Sequence, residues 1–254
     1  MKKFITAFLA DPICNAIMSV FTYAFYGAVI GLSLTPSTLF LYKMIEIIPP
    51  INLLNVFLFT LCVGCSIYMF FVVSLIVFGI FERILTIGFK PGRYAISTFT
   101  FGRWILYSGL HVILMNMVLP YVSGTVWNKL FYKILGAKIG KNVFINTPKL
   151  SDAYLLEIGD NVVIGGDASI TCHIFEGNTL ILGKIKIGSS SLVGAETYIM
   201  PGVTIGNHCN IGVKAMIRKN KTIPDNSMIL AFPGSPAKKV AELIKDSTKG
   251  NNNE

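Results

Sequence analysis

Two rhythms divide the chain. In the first, apolar residues run on with little polar interruption: no residue is charged from Pro12 to Tyr42, or again from Ile47 to Phe81. Each run exceeds the roughly 20 residues that cross a bilayer as a helix. The pattern predicts a transmembrane α-hairpin with spans over about 13–34 and 53–80. The connection between them holds Pro36, Pro49 and Pro50, with Lys43 as its basic residue. Lys2 and Lys3 precede the first span, whereas Arg83, Lys90, Arg93 and Arg103 follow the second. The positive-inside rule therefore puts both ends of the hairpin in the cytoplasm. The opening MKKFITAFLADP reads as part of a retained anchor, because Asp11 interrupts it and no small-residue cleavage pattern follows. A third apolar stretch, 104–124, is broken by Ser108, Gly109, His111 and Asn116 and flanked by basic residues. That predicts an interfacial helix over about 104–122. Trp104, Tyr121 and Trp127 would sit at headgroup level, and His111 would be hydrogen-bonded where the membrane region meets the rest.

The second rhythm begins at Ile139. An aliphatic residue recurs every sixth position at Ile139 and Ile145, then at Ile158, Ile164 and Ile170. It resumes at Ile181, Ile187, Val193, Ile199, Ile205, Ile211, Ile217, Ile223 and Ile229. Glycine follows at 140, 159, 165, 188, 194, 206 and 212. Small or β-branched residues stand four places on, at Val162, Ala168, Ser191, Thr197, Val203, Cys209, Ala215 and Ser227. Neither a helix nor an alternating strand has this period. It predicts a hexapeptide β-solenoid, three short strands to a triangular coil, with each aliphatic residue stacked on its equivalent one coil away. The open ends of such a stack need covers. LFYKILGAK is expected to close the start, and SPAKKVAELIKD to form a capping helix at the far end. The resulting division is a membrane region at 1–128, a solenoid at 129–242 and a disordered tail at 243–254.

The beat slips between Ile170 and Ile181, where eleven residues stand in place of six. The excess must leave the coil as a loop, TCHIFEGNTL, and loops on rigid scaffolds are where chemistry concentrates. His173 lies in it. Imidazole exchanges protons in the neutral range and serves as a general base, so His173 is the candidate catalytic residue.

Composition narrows the partners. The chain carries a net charge of +9, with 15 of its 22 basic residues beyond position 128. Those cations are scattered and match no nucleic-acid motif, which favours an anionic membrane surface or a phosphorylated co-substrate over nucleic acid. The five cysteines are odd in number and dispersed. Cys62 and Cys65 sit in an apolar run and read as small hydrophobes rather than a redox pair. Only His173 and His208 lie in the repeats. A zinc-dependent carbonic anhydrase built on the same solenoid would need three histidines, and no metal is expected.

The block IGSSSLVGAETYIMPGVTIGNHCNIGVKAMIRKNKTIPDNSMILAFPGSPAKKV (187–240) resembles the left-handed β-helix acyltransferases, the hexapeptide-repeat family. The handedness comes from that resemblance. Taken with the hairpin, GRY, LFYKILGAKIGKNVFINT, SDAYLLEIGD and CHIFEG, nearly the whole chain is similar to the membrane-anchored repeat unit of ε-poly-lysine-synthetase-type proteins. The resemblance implies transfer of an acetyl or other acyl group from acyl-CoA to a hydroxyl or amine, with His173 as base. It implies that Glu176 orients the imidazole or binds the acceptor. Ala195 and Val213 would line the pantetheine arm, and Arg218, Lys219 and Lys238 would hold the cofactor's phosphates. It also implies a homotrimer with sites between subunits. Leu192 departs from the family by replacing a common tryptophan, so the acceptor pocket is expected to differ. With the solenoid in the cytosol beside its donor, the expected acceptor is small or lipid-linked and lies at the bilayer. A non-catalytic oligomeric membrane scaffold and an amide-forming unit remain the alternatives.

Overall fold

The computed structural model describes residues 12–230 and 238–239. Two long helices open it, α1 (Pro12–Ile47) and α2 (Leu53–Thr86), packed against each other. Both are long and apolar enough to cross a membrane. Their outer surfaces present large apolar side chains, among them Phe21 at 70%, Leu53 at 86% and Tyr68 at 70% exposure. The connection is shorter than the sequence predicts, because α1 continues through Pro36 to Ile47. Proline removes one helical N–H. Around it the hydroxyls of Ser33, Thr35 and Thr38 donate to the carbonyls of Val29, Gly31 and Leu34, local bonds of the kind that let apolar helices carry a proline. Asn52 caps α2 by accepting from the Asn55 N–H at 2.9 Å.

Helix α3 (Phe99–Met117) starts where Thr98 accepts from the Phe101 N–H. Trp104, Tyr107, Leu110, His111 and Leu114 form its buried stripe, while Ile105, Val112 and Met117 stay exposed. This corrects the headgroup placement of Trp104, which is turned inward at 6% exposure. His111 is hydrogen-bonded, its Nδ1 lying 3.0 Å from Glu82 Oε2 of α2. That buried pair pins the two helices together. A short helix α4 (Leu119–Val122) leads into α5 (Val126–Ile134), which seals the first coil as LFYKILGAK predicts. Asn128 Nδ2 donates to the carbonyls of Ile145 and Thr147, and Tyr132 OH to that of Pro148.

The solenoid has three sheets of short parallel strands. Ile139, Ile158, Ile187, Ile205 and Ile223 stack in one. Ile145, Ile164, Val193, Ile211 and Ile229 stack in the second. Leu150, Ile170, Ile199 and Ile217 stack in the third. The small residues four places on are all buried. Corners are turned by left-handed residues such as Asn161, Asp167, His208, Asn220 and Asn226, with φ between 54° and 58°. Asparagine and aspartate tolerate that region better than other side chains. Glycines at the sixfold positions allow coils to approach: a Cβ on Gly188 would lie 2.4 Å from the Gly206 backbone.

The break in the rhythm is larger than predicted, and Ile181 is not a rung. Ile187 is the next residue to stack after Ile170, so seventeen residues stand where six would serve. The excursion is a β-hairpin, His173–Glu176 paired antiparallel with Thr179–Leu182 through Gly177 at φ 54°. Leu180 and Leu182 are its buried residues, so within this strand the pattern has period two and Ile181 falls on the outer face. Gly92–Ala95, the segment between α2 and α3, pairs antiparallel with the hairpin's second strand. The predicted C-terminal capping helix lies mostly outside the described residues. The two of its residues that are described, Lys238–Lys239, form a short strand antiparallel to Ser227–Met228.

Candidate active site

Two slips in the repeat meet in space. The larger is the hairpin that begins with His173. The smaller falls between Ile145 and Ile158, thirteen residues where two hexads supply twelve. There Asp152 takes a left-handed conformation, φ 56° and ψ 45°, ahead of a 3-10 turn at Ala153–Leu155. The kink drives the Asp152 carboxylate under the hairpin, 1% exposed, with Oδ2 2.5 Å from His173 Nδ1.

Its other oxygen is held as firmly. Oδ1 accepts from Trp104 Nε1 at 2.9 Å and from Tyr154 OH at 3.0 Å. Tyr107 OH accepts from the Asp152 backbone N–H at 2.9 Å. Burial and the neighbouring Asp152 charge push the Tyr154 phenol far up, so it remains a donor to that carboxylate. The Trp104 ring meets His173 edge-on at 4.9 Å, and Phe175 meets Trp104 at 5.5 Å. Aromatic walls and two fixed donors leave the carboxylate one remaining task, to accept from Nδ1–H. That fixes the tautomer with the lone pair on Nε2. The imidazole is 26% exposed and Nε2 has no protein partner among the described residues, so the basic nitrogen faces outward.

The carboxylate that meets the imidazole is Asp152. Glu176 lies at the hairpin tip, where its carboxylate pairs with Lys219 and lies 3.6 Å from Arg93. This brings Glu176 and Lys219 together beside the corner from which the hairpin leaves, and Arg218 is exposed on that same corner. Ala195 and Val213 stack one above the other on the preceding corner, with Lys214 N–H donating to the Ala195 carbonyl at 2.9 Å. Lys238 is placed by its backbone pairing with Met228. Cys172, next to His173, is buried and its thiol is pushed well up by burial, which makes it an inert packing group. Among the described residues no group of three or more His, Cys, Asp or Glu side chains is placed to hold a metal ion.

Sequence comparison agrees with the coils. Residues 184–219 match the bacterial transferase hexapeptide (six repeats) family. The Delta-poly-L-ornithine synthetase of Acinetobacter baumannii is 29% identical over 119 residues, covering 47% of this chain and 9% of that protein. The galactoside O-acetyltransferase of Escherichia coli is 32% identical over 103 residues, covering 37% of this chain and 50% of its own length. A solved galactoside acetyltransferase in complex with coenzyme A overlaps 63% of this chain and 88% of its own, at 20% identity and a TM-score of 0.42. Residues 184–219 thus carry the hexapeptide repeat, and about half of the chain or less is similar in sequence to each of these relatives. The chain spans half or less of the two curated relatives named here.

Proposed function

We propose that the chain is a membrane-tethered acyltransferase. It moves an acetyl or other acyl group from acyl-CoA to a hydroxyl or amine of a membrane-associated or envelope-precursor acceptor. The observation that carries this reading is the Asp152–His173 pair at 2.5 Å, its carboxylate buried and its imidazole partly exposed on the coil stack. Nε2 takes the proton from the acceptor as its oxygen or nitrogen attacks the thioester carbonyl carbon. The C–S bond then breaks, and the leaving thiolate regains that proton from Nε2–H. Asp152, bonded to Nδ1, stabilises the imidazolium. Acetyltransferase relatives support acetyl-CoA as donor. Ala195 and Val213 are proposed to flank its pantetheine arm, with Arg218, Lys219 and Lys238 toward its phosphates. Glu176, already paired with Lys219, is proposed to border the acceptor.

The two long apolar helices support the tether, and the basic flanks support a cytoplasmic solenoid next to its donor. A left-handed coil, homotrimeric assembly and a boundary near residue 129 belong to the same proposal. His173→Ala is expected to lower acyl transfer about 100-fold or more while light scattering still reports the wild-type oligomer. Turnover near wild type in that variant removes His173 as the base. Calorimetry showing no acetyl-CoA binding to the wild-type protein would favour a scaffold instead.

A further inference from the structure

A cavity of about 560 Å3 opens between α1 and the start of α3, within the range of sites that hold small organic ligands. Its wall is mainly apolar and aromatic, with Met18 and Tyr23 of α1 and Phe99, Phe101 and Ile105 of α3, and the hydroxyl residues Ser19, Thr22, Ser97 and Thr98 also line it. Gly102 also lines it, and a Cβ there would meet no atom within 4 Å. The helix surface is bare at that point, which leaves room along the groove. Near this wall α1 exposes Val20 and Phe21 at 68% and 70%, so apolar surface continues from the cavity onto the outer face of the membrane-length helix.

Phe101 joins this cavity to the catalytic pair. Its ring stacks on Trp104 at 6.2 Å and meets Phe175 edge-on at 6.1 Å. Trp104 in turn touches both Asp152 and His173. Two aromatic rings in series, Phe101 and then Trp104, separate the apolar slot from the imidazole. Resting on the acyltransfer reading above, we infer that the cavity binds the hydrocarbon chain of the acceptor. The acceptor is then a single-chain amphiphile that lies in the bilayer and presents its hydroxyl or amine to His173 past Phe101. Such binding holds the reacting group next to the base without a polar pocket for its tail.

The test uses the full chain in lipid nanodiscs, with a diazirine-bearing hexadecylamine as photoprobe and hexadecylamine or butylamine as acyl acceptor. Gly102→Phe fills the slot, and replacing a helical glycine favours the helix rather than unfolding it. The expected result is about tenfold weaker labelling of residues 97–106 and about a tenfold loss of the KM preference for hexadecylamine over butylamine, the pattern of lost ground-state binding. Gly102→Ala, whose methyl meets open space, is expected to label like wild type. Labelling and KM that ignore the phenylalanine overturn the inference. So does a diazirine-bearing phospholipid that labels the same residues as strongly as the amine. Labelling that Gly102→Phe abolishes, in a protein that transfers acyl groups to neither amine, upholds the chain-binding cavity and removes the acyltransfer reading alone.

Discussion

Asp152→Asn isolates the charge of the orienting carboxylate from its shape. Asparagine tolerates the left-handed φ of 56° at this position, and its carbonyl oxygen still accepts from Trp104 Nε1 and Tyr154 OH. Those two donors dictate the amide's orientation, so its NH2 group must face His173 Nδ1. A donor facing Nδ1 makes that nitrogen the acceptor and moves the imidazole proton to Nε2, where the acceptor's proton has to land. The fold is kept and the base is lost. Loss of the analogous carboxylate charge in a serine-protease triad costs about 10⁴ in kcat. Here the ring is partly exposed, so a loss of about 10³–10⁴ is expected, or about 4–5.5 kcal/mol of barrier. Thiol release from acetyl-CoA measures the rate, and ¹⁵N shifts of labelled histidine report the tautomer independently. Asp152→Ala is a poorer probe, since it also strands two buried donors. Turnover of the asparagine variant within tenfold of wild type would refute the orientation argument, as would an unchanged Nδ1–H tautomer.

Trp104→Phe keeps the aromatic wall but removes the donor to Asp152 Oδ1. It should lower kcat about 10-fold without changing the melting temperature by more than a few degrees. Gly188→Ala forces a methyl to within 2.4 Å of the Gly206 backbone. A cost of about 2–3 kcal/mol should lower Tm by about 5–10 °C, and a melting curve that superimposes on wild type would count against tight coil stacking there. Hydrogen bonds from Lys138 and Lys184 draw the Glu157 carboxyl down to about 2 from its usual 4.5. Its folded value is depressed, so its stabilising contribution is full above pH 4.5 and is lost as pH falls through about 2. The stability gap between wild type and Glu157→Gln, followed by denaturant titration, should therefore close over that window; a gap that persists at pH 2 contradicts it.

The coils were legible because their period survives burial: every rung from Ile187 to Ile229 stacks where the count puts it. Ile181 misled because an aliphatic residue in a two-period hairpin happened to fall on the six-residue beat. Only its neighbours' burial reveals the change of period. His173 was visible through eleven residues in place of six, an excess of five, while Asp152 hid in an excess of one. Counting from Ile145 to Ile158 would have exposed that slip, since a single extra residue must be absorbed by a special φ, and Asp is one of the few residues that suits it. Trp104 could not be placed from sequence. An aromatic residue beside basic ones in an apolar helix reads alike whether it meets lipid headgroups or a buried carboxylate, and only the long-range contact with Asp152 decides.

The backbone ladder between Gly92–Ala95 and Thr179–Leu182 makes the apparent modularity of this molecule deceptive. A scissor cut at residue 129 would part the coil stack from the helices while leaving it the imidazole. It would also strip away the strand that braces the hairpin and the indole that clamps the carboxylate. Transplanting these coils onto another pair of helices would carry the imidazole across without the strand and the indole that hold it, so helices and hairpin form one structural piece.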